Sequence, residues 1–226
     1  LQQGPVVFSL APSLAAAFAV APGVVVAALR QIGATGIAET SEVTSWVSRL
    51  HWERAQERGS VISSCCPAVV NLITHYYPGV LPHLADVVSP MIAHGRAIKQ
   101  VLGRDTKVVF VGPCIAKKKE MREPSVVGAV DAVLTFSELG EMLDSVLPGW
   151  EELPAEAFDT FVIQQSVAEV AHQRRFPLSG GMMPLLGNGA GESRTLVNDH
   201  GGLLESDVLA VTGVKPERAA TSEVKR

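Results

Sequence analysis

The chain has 226 residues, with 19 Lys and Arg against 23 Asp and Glu for a formal net charge of -4, and 47% of its residues are hydrophobic. This is enough apolar material for one large core or two smaller ones. The charge leaves no basic surplus for a phosphate backbone, which excludes nucleic acid as an expected partner. Three cysteines, two of them adjacent, are too few for a secreted disulfide framework and read as reduced thiols or metal ligands in a cytoplasmic protein.

Residues 5–9 (PVVFS) read as a first strand. Residues 10–29 carry no charge and approach the roughly 20 apolar residues of a bilayer span. Pro12, Pro22 and Gly23 interrupt that stretch and no basic residue precedes it, so two buried helices are expected instead, one after Ser13 and one over 22–32, and no membrane segment. Gly33 and Gly36 mark a helix stop and a turn. Then come a strand at 36–39, an amphipathic helix at 42–57, a third strand at 61–63 running to Cys65, and a helix opened by Pro67. Residues 90–102 read as helix, and 107–111 (KVVFV) form the clearest strand, ending at Gly112-Pro113-Cys114. Further strands are expected at 129–136 and 208–212, with helices at 138–146, 161–173 and 216–226 and a glycine-rich loop at 178–194. Strands alternating with helices predict an α/β fold, two-lobed, with parallel β-sheets flanked by helices. The expected lobes are 1–105, with the first cysteine motif, and 106–226, with the second.

In open α/β folds ligands sit beyond the carboxyl ends of parallel strands, where both cysteine motifs are expected to fall. Thiolates are soft donors suited to iron-sulfur clusters, which usually take four of them. On the residues alone, the cysteines could also be packing residues or thiol nucleophiles paired with a histidine. The six histidines, His51, His75, His83, His94, His172 and His200, lack the spacing that puts two on one helical face for zinc, and read as surface or packing residues. Gly187, Gly189 and Gly191 lack a following Gly-Lys-Ser/Thr, and Ser179 lacks a G-x-S-x-G frame, so neither phosphate binding nor serine catalysis is supported. Lys118 and Lys119 read as a solvated helix face.

The segments SSCCPAVV, HYYPGVLPHLADVVSPM and GPCIAKKKE, in this order across residues 61–120, resemble the first two signature regions of the [FeFe]-hydrogenase active-site domain. FSLAPSLAAAF, LSGG and VLAVTGV resemble its flanking elements. The resemblance implies the iron-only hydrogenase active-site fold, with Cys66 and Cys114 ligating a 4Fe-4S cubane. It also implies two further ligands from a C-terminal C-x-G-G-C motif, which bridges to a di-iron subcluster carrying CO and CN. This sequence does not contain that motif, and residues 216–226 resemble the helix before it. The expectation is therefore a fragment of a longer protein, cut before the third motif and without cluster by itself.

By the same resemblance Cys65 passes protons to and from the di-iron centre, and Lys117 holds a cyanide ligand by a charge-assisted hydrogen bond. Ser89 and Pro90 line the cavity, with Ser89 a second cyanide partner, and Pro113 joins them at the cofactor. The catalytic relatives have a tryptophan, a glutamine, a methionine and a proton-path serine where this chain has Val69, Met91, Gly112 and Ala85. These departures are similar to the sensory branch of the family, whose members are often joined to PAS or other signalling domains. Hydrogen, protons and a ferredoxin-like redox partner are the implied substrates and partner. A non-catalytic 4Fe-4S scaffold, related to the eukaryotic hydrogenase-like assembly factors, is the alternative.

Overall fold

The computed structural model describes residues 4–161. The expected loop at 178–194, strand at 208–212, helix at 216–226, the segments LSGG and VLAVTGV and nearly all of the helix at 161–173 lie outside the described residues. Within them the chain forms two compact units, one of residues 4–43 and 90–161, the other of residues 44–89. The expected division near residue 105 follows the sequence, whereas contacts group the chain otherwise because strands from either side of that position share one sheet.

The first unit is built on four parallel strands in the order β2-β1-β3-β4: β1 (Val6–Leu10), β2 (Gly36–Glu39), β3 (Lys107–Val111) and β4 (Ala132–Leu134). Val7, Phe8, Ser9 and Leu10 are all buried, the continuous pattern of a strand covered on both faces rather than the alternation of a half-wet one. Helix α1 (Pro22–Gln31) begins on a proline and buries every residue from Val24 to Leu29. Its core partners include Leu10, Ile37, Val111, Leu139, Leu143 and Trp150. The charge-free stretch 10–29 is thus divided between a strand end, a 3-10 turn (Pro12–Ala16) and a helix of 10 residues. No helix among the described residues is long and apolar enough to cross a membrane. The free edge of β2 is covered by the chain near 159, where Asp159 N–H donates to Ile37 O at 2.7 Å and Ile37 N–H donates to the Asp159 carboxylate at 2.8 Å.

The second unit contains α2 (Thr44–Arg58) and α3 (Pro67–Tyr76), with a small core of Ile62, Val70, Ile73, Leu81 and Leu84. Helix α4 (Pro90–Leu102) returns the chain to the first unit, followed there by the short α5 (Lys117–Glu120) and by α6 (Phe136–Val146).

Three expected elements differ from those observed. The strand at 61–63 is one isolated parallel bridge between Ile62 and Leu84, because past it Ser63 Oγ accepts the Cys65 N–H locally and the Ser64 hydroxyl donates to Val87 O, bonds that compete with a ladder. The helix after Ser13 is a single 3-10 turn that contains Ser13 and has no side-chain cap. The strand at 129–136 shrinks to three residues because Thr135 caps α6 with a full capping box, so that helix starts at Phe136 rather than 138.

Candidate functional site

In the first unit β1 has β2 on one side and β3 on the other, so the chain leaving β1 and the chain arriving at β3 run in opposite directions across the sheet. The carboxyl ends of β1 and β3 therefore form the switch point at which open α/β sheets bind ligands. Gly112, Pro113 and Cys114 leave β3 at that point. Gly112 N–H donates to Leu134 O at 3.0 Å, one residue beyond the strand, and Pro113, lacking an N–H, stops the ladder. A side chain at 112 would begin 2.8 Å from the Phe110 ring and 3.2 Å from Ala11 Cβ, so Phe110 occupies the space that a larger residue would need.

Cys114 is half-buried and reduced, and its carbonyl accepts Lys117 N–H at 3.2 Å to start α5. Lys117 is buried, 8% exposed, with Nζ 2.8 Å from the carboxylate of the fully buried Glu120. Lys118 pairs instead with Glu138, whose carboxyl is held down to about 2 by that ammonium and by the Thr135 backbone N–H and hydroxyl. Lys118 thus ties α5 to the first turn of α6 rather than merely facing solvent.

The first cysteine motif lies in the second unit, after the isolated bridge and not at the end of a sheet strand as expected. His51 on α2 is 2% exposed; its Nδ1–H donates to Val47 O at 2.7 Å, and Nε2 accepts the Ser64 N–H at 3.2 Å. Burial pushes the His51 imidazole below its ordinary value, against the opposing pull of the Val47 carbonyl and the Asp86 charge, so the ring is neutral. Ser64 Oγ donates to Val87 O at 2.5 Å, and Ser63 Oγ accepts Cys65 N–H at 3.3 Å. Asp86 receives Arg54 Nε at 2.9 Å and Arg58 at 3.3 Å. Burial raises the Asp86 carboxyl, but the two guanidinium groups outweigh it and hold it below the usual carboxylate range. Cys66 stands at the N-cap of α3 with Pro67 at the first helical position, and its carbonyl accepts Val70 N–H at 3.0 Å. A helix N-terminus favours negative charge beside it, and residue 66 stands at that position. Cys65 and Cys66 are half-buried free thiols. Ser89 is fully buried at the end of this unit, directly before Pro90 opens α4, and Ala85 and Met91 are buried as well.

The structure therefore places Cys65, Cys66 and Ser89 in one unit and Pro90, Pro113, Cys114 and Lys117 in the other. No three His, Cys, Asp or Glu side chains among the described residues cluster as a metal site. Two histidines read as surface or packing residues prove to be buried and hydrogen-bonded. Besides His51, His94 on α4 is fully buried, with Nδ1 2.8 Å from Ser9 Oγ and Nε2 3.6 Å from the Glu42 carboxylate. Ser9 is itself fully buried in β1, which bars it from acting as a nucleophile. Neither network follows a known spacing, because each joins residues from separate elements.

The family described as "Iron only hydrogenase large subunit, C-terminal domain" matches residues 4–220. The chain belongs to this family. Among curated relatives of this hydrogenase domain, the periplasmic [Fe] hydrogenase large subunit of Nitratidesulfovibrio vulgaris is 28% identical over 183 residues, covering 73% of this chain and 42% of that protein. The NADP-reducing hydrogenase subunit HndD of Solidesulfovibrio fructosivorans is 31% identical over 186 residues, or 68% of this chain and 32% of that protein. The cytosolic Fe-S cluster assembly factor NAR1 of Debaryomyces hansenii is 34% identical over 99 residues, or 38% of this chain and 18% of that protein. A variant of the [FeFe]-hydrogenase HydA1 of Chlamydomonas reinhardtii shares the fold with a TM-score of 0.64 at 19% identity, over 75% of this chain and 48% of that one. The chain thus spans less than half the length of these relatives.

Proposed function

We propose that this hydrogenase-family chain holds the iron-sulfur part of an H-cluster, with Cys66 and Cys114 as thiolate ligands of a 4Fe-4S cubane. The observation that carries the reading is the reduced Cys114 loop leaving β3 at the switch point, with the buried Lys117 cation one turn later. The donor chemistry fits: the thiols are free rather than disulfide-bonded, and Cys66 sits at a helix N-terminus that favours an anionic group. A four-thiolate cubane would also take ligands beyond the three cysteines of this sequence. When bound, the cubane and its di-iron partner supply electron storage and the metal site at which H2 and protons interconvert.

The remaining roles belong to this chain's own groups. Cys65 holds and releases the proton, a task suited to a thiol whose ordinary pKa lies near neutrality. Lys117, steadied by Glu120, offers a cation to a cyanide ligand, with Ser89, Pro90 and Pro113 bordering the same group. Ala85 has no hydroxyl with which to relay a proton, and Val69, Met91 and Gly112 replace larger or more polar cavity residues. Slow turnover suited to sensing H2 or redox state in the cytoplasm follows, with a ferredoxin-like electron partner and a PAS or other signalling domain as the output.

The test is anaerobic loading of the longest gene product that contains this chain, with cluster precursors, followed by infrared spectroscopy. Bands of metal-bound CO and CN, lost in Cys66→Ser and Cys114→Ser, are the expected result. Their absence from fully iron-loaded protein would remove the hydrogenase reading. The likeness to NAR1 favours a second reading, a cubane scaffold without H2 chemistry, which would show cubane absorption without the diatomic bands.

A further inference from the structure

We infer that His51 is a positioning residue for the first cysteine motif: a neutral latch on α2 that fixes the course of residues 63–66 by accepting the Ser64 N–H. The inference rests on the cluster-binding reading above, and adds to it the group that holds that motif's two thiols in place. A chain of hydrogen bonds runs from α2 through the imidazole to the loop. Nδ1 lies 2.7 Å from Val47 O, which can only accept, so Nδ1 carries the ring proton and Nε2 presents a lone pair. That lone pair faces the Ser64 N–H at 3.2 Å. The Ser64 hydroxyl, 3.3 Å from the same nitrogen, gives its proton to Val87 O at 2.5 Å and leaves the backbone amide as donor to the ring. Ser63 Oγ, 3.4 Å from Nε2, accepts Cys65 N–H at 3.3 Å and passes the constraint one residue further.

Among the described residues the loop's strand-like pairing is the single bridge between Ile62 and Leu84. Past that bridge the Ser64 N–H donates to His51 Nε2 and the Cys65 N–H to Ser63 Oγ. A second tie holds the neighbouring segment to the same helix, since Arg54 and Arg58 reach Asp86 one and two turns beyond His51. Helix α2 therefore grips residues 63–64 through one imidazole and Asp86 through two guanidinium groups, while the Ser64 hydroxyl ties the loop to Val87 O. A histidine there only to fill space would have no use for this proton arrangement, and a leucine would serve as well.

The experiment compares wild type, His51→Gln and His51→Leu. Gln can place an amide oxygen near the position of Nε2 and restore the acceptor, whereas Leu fills the space without one. Alkylation of each cysteine by iodoacetamide in metal-free protein is followed by mass spectrometry, with Cys114 in the other unit as the internal control. In H51L, Cys65 and Cys66 are expected to react about five- to tenfold faster than in wild type, the change that loss of one buried hydrogen bond brings. H51Q should fall back toward wild type, and Cys114 should not change. Nitrogen NMR of the imidazole should find Nδ1 protonated and Nε2 bare. Equal labelling in H51L and wild type, faster labelling in H51Q than in H51L, or a protonated Nε2 would overturn the inference. If H51L does not fold, Ser63→Ala removes the oxygen that accepts Cys65 N–H and stands 3.4 Å from Nε2, and should raise Cys65 labelling; an unchanged rate would again overturn the inference. Because labelling needs no cluster, a protein that never takes up iron would refute the proposed function and leave this test intact.

Discussion

Lys117 and Glu120 form an ion pair taken almost wholly out of water, and the energetics of such pairs are asymmetric. Desolvating two charges roughly cancels their attraction, so the pair adds little net stability, but removing one partner leaves the other a buried charge that has lost its ion pair. Lys117→Met should therefore destabilise the protein by roughly 3–5 kcal/mol, and Glu120→Met by a similar amount. The double variant should recover much of that loss. Denaturant unfolding of the four proteins tests this, and additive losses would show that the two side chains act independently. The resemblance of GPCIAKKKE to the family's second motif set Lys117 apart from the two lysines after it, and Lys117 is the one that is buried. Its buried carboxylate partner was not legible, because a glutamate three residues along a helix is far more often a surface partner. His51 and His94 stayed hidden for a related reason, since their partners come from other elements and leave no periodic trace.

At the scale of elements, propensity and punctuation agreed wherever an element lay within one local pattern. Proline at the first helical position marked α1, α3 and α4, and the β-branched run at 107–111 marked β3. The failures came where side chains took over the backbone's hydrogen bonds. Ser63 and Ser64 dissolved a short strand into a latch, and Thr135 cut another short by starting a helix. The Thr135 cap was in fact readable as T-x-x-E over 135–138 and is worth testing. Thr135 Oγ1 accepts Glu138 N–H at 3.2 Å, and the Glu138 carboxylate accepts Thr135 N–H at 2.8 Å. Thr135→Ala removes one half of this box and should cost about 1 kcal/mol, read as a lowered unfolding midpoint with an unchanged denaturant slope. It should also free Lys118 and Glu138 to separate, because the carboxylate loses the hydroxyl that orients it. A variant as stable as wild type would mean that Lys118 alone fixes the start of α6.

Considered as a whole, the molecule keeps its acid-sensitive groups in both units, but they titrate in different ranges. In the 44–89 unit the neutral form of His51 is favoured by burial. The unfolded chain then binds a proton that the folded chain refuses, beginning near the ordinary histidine value of about 6.5. Stability from this source is full above that value and is lost as pH falls toward the lowered folded-state value. Asp86 in the same unit and Asp131 in the other are both held below the usual carboxylate range, Asp86 by Arg58 and Arg54, and Asp131 by Lys99 and the Val108 N–H, in each case against the upward push of burial. Their contributions are present above the ordinary carboxylate value of about 3.9 and disappear only as pH drops below it. Mild acid should therefore loosen the first cysteine motif while the sheet holds. Hydrogen exchange followed by mass spectrometry, with protection factors corrected for the intrinsic pH dependence, should show amides of 61–66 and 84–88 losing protection as pH falls below about 6.5, where the unfolded chain's histidine begins to bind its proton. Amides of β3 and β4, the strands beside Asp131, should keep theirs until that carboxylate begins to protonate. Simultaneous loss in both sets would mean that the two units open together and that His51 does not set the acid limit of its own unit.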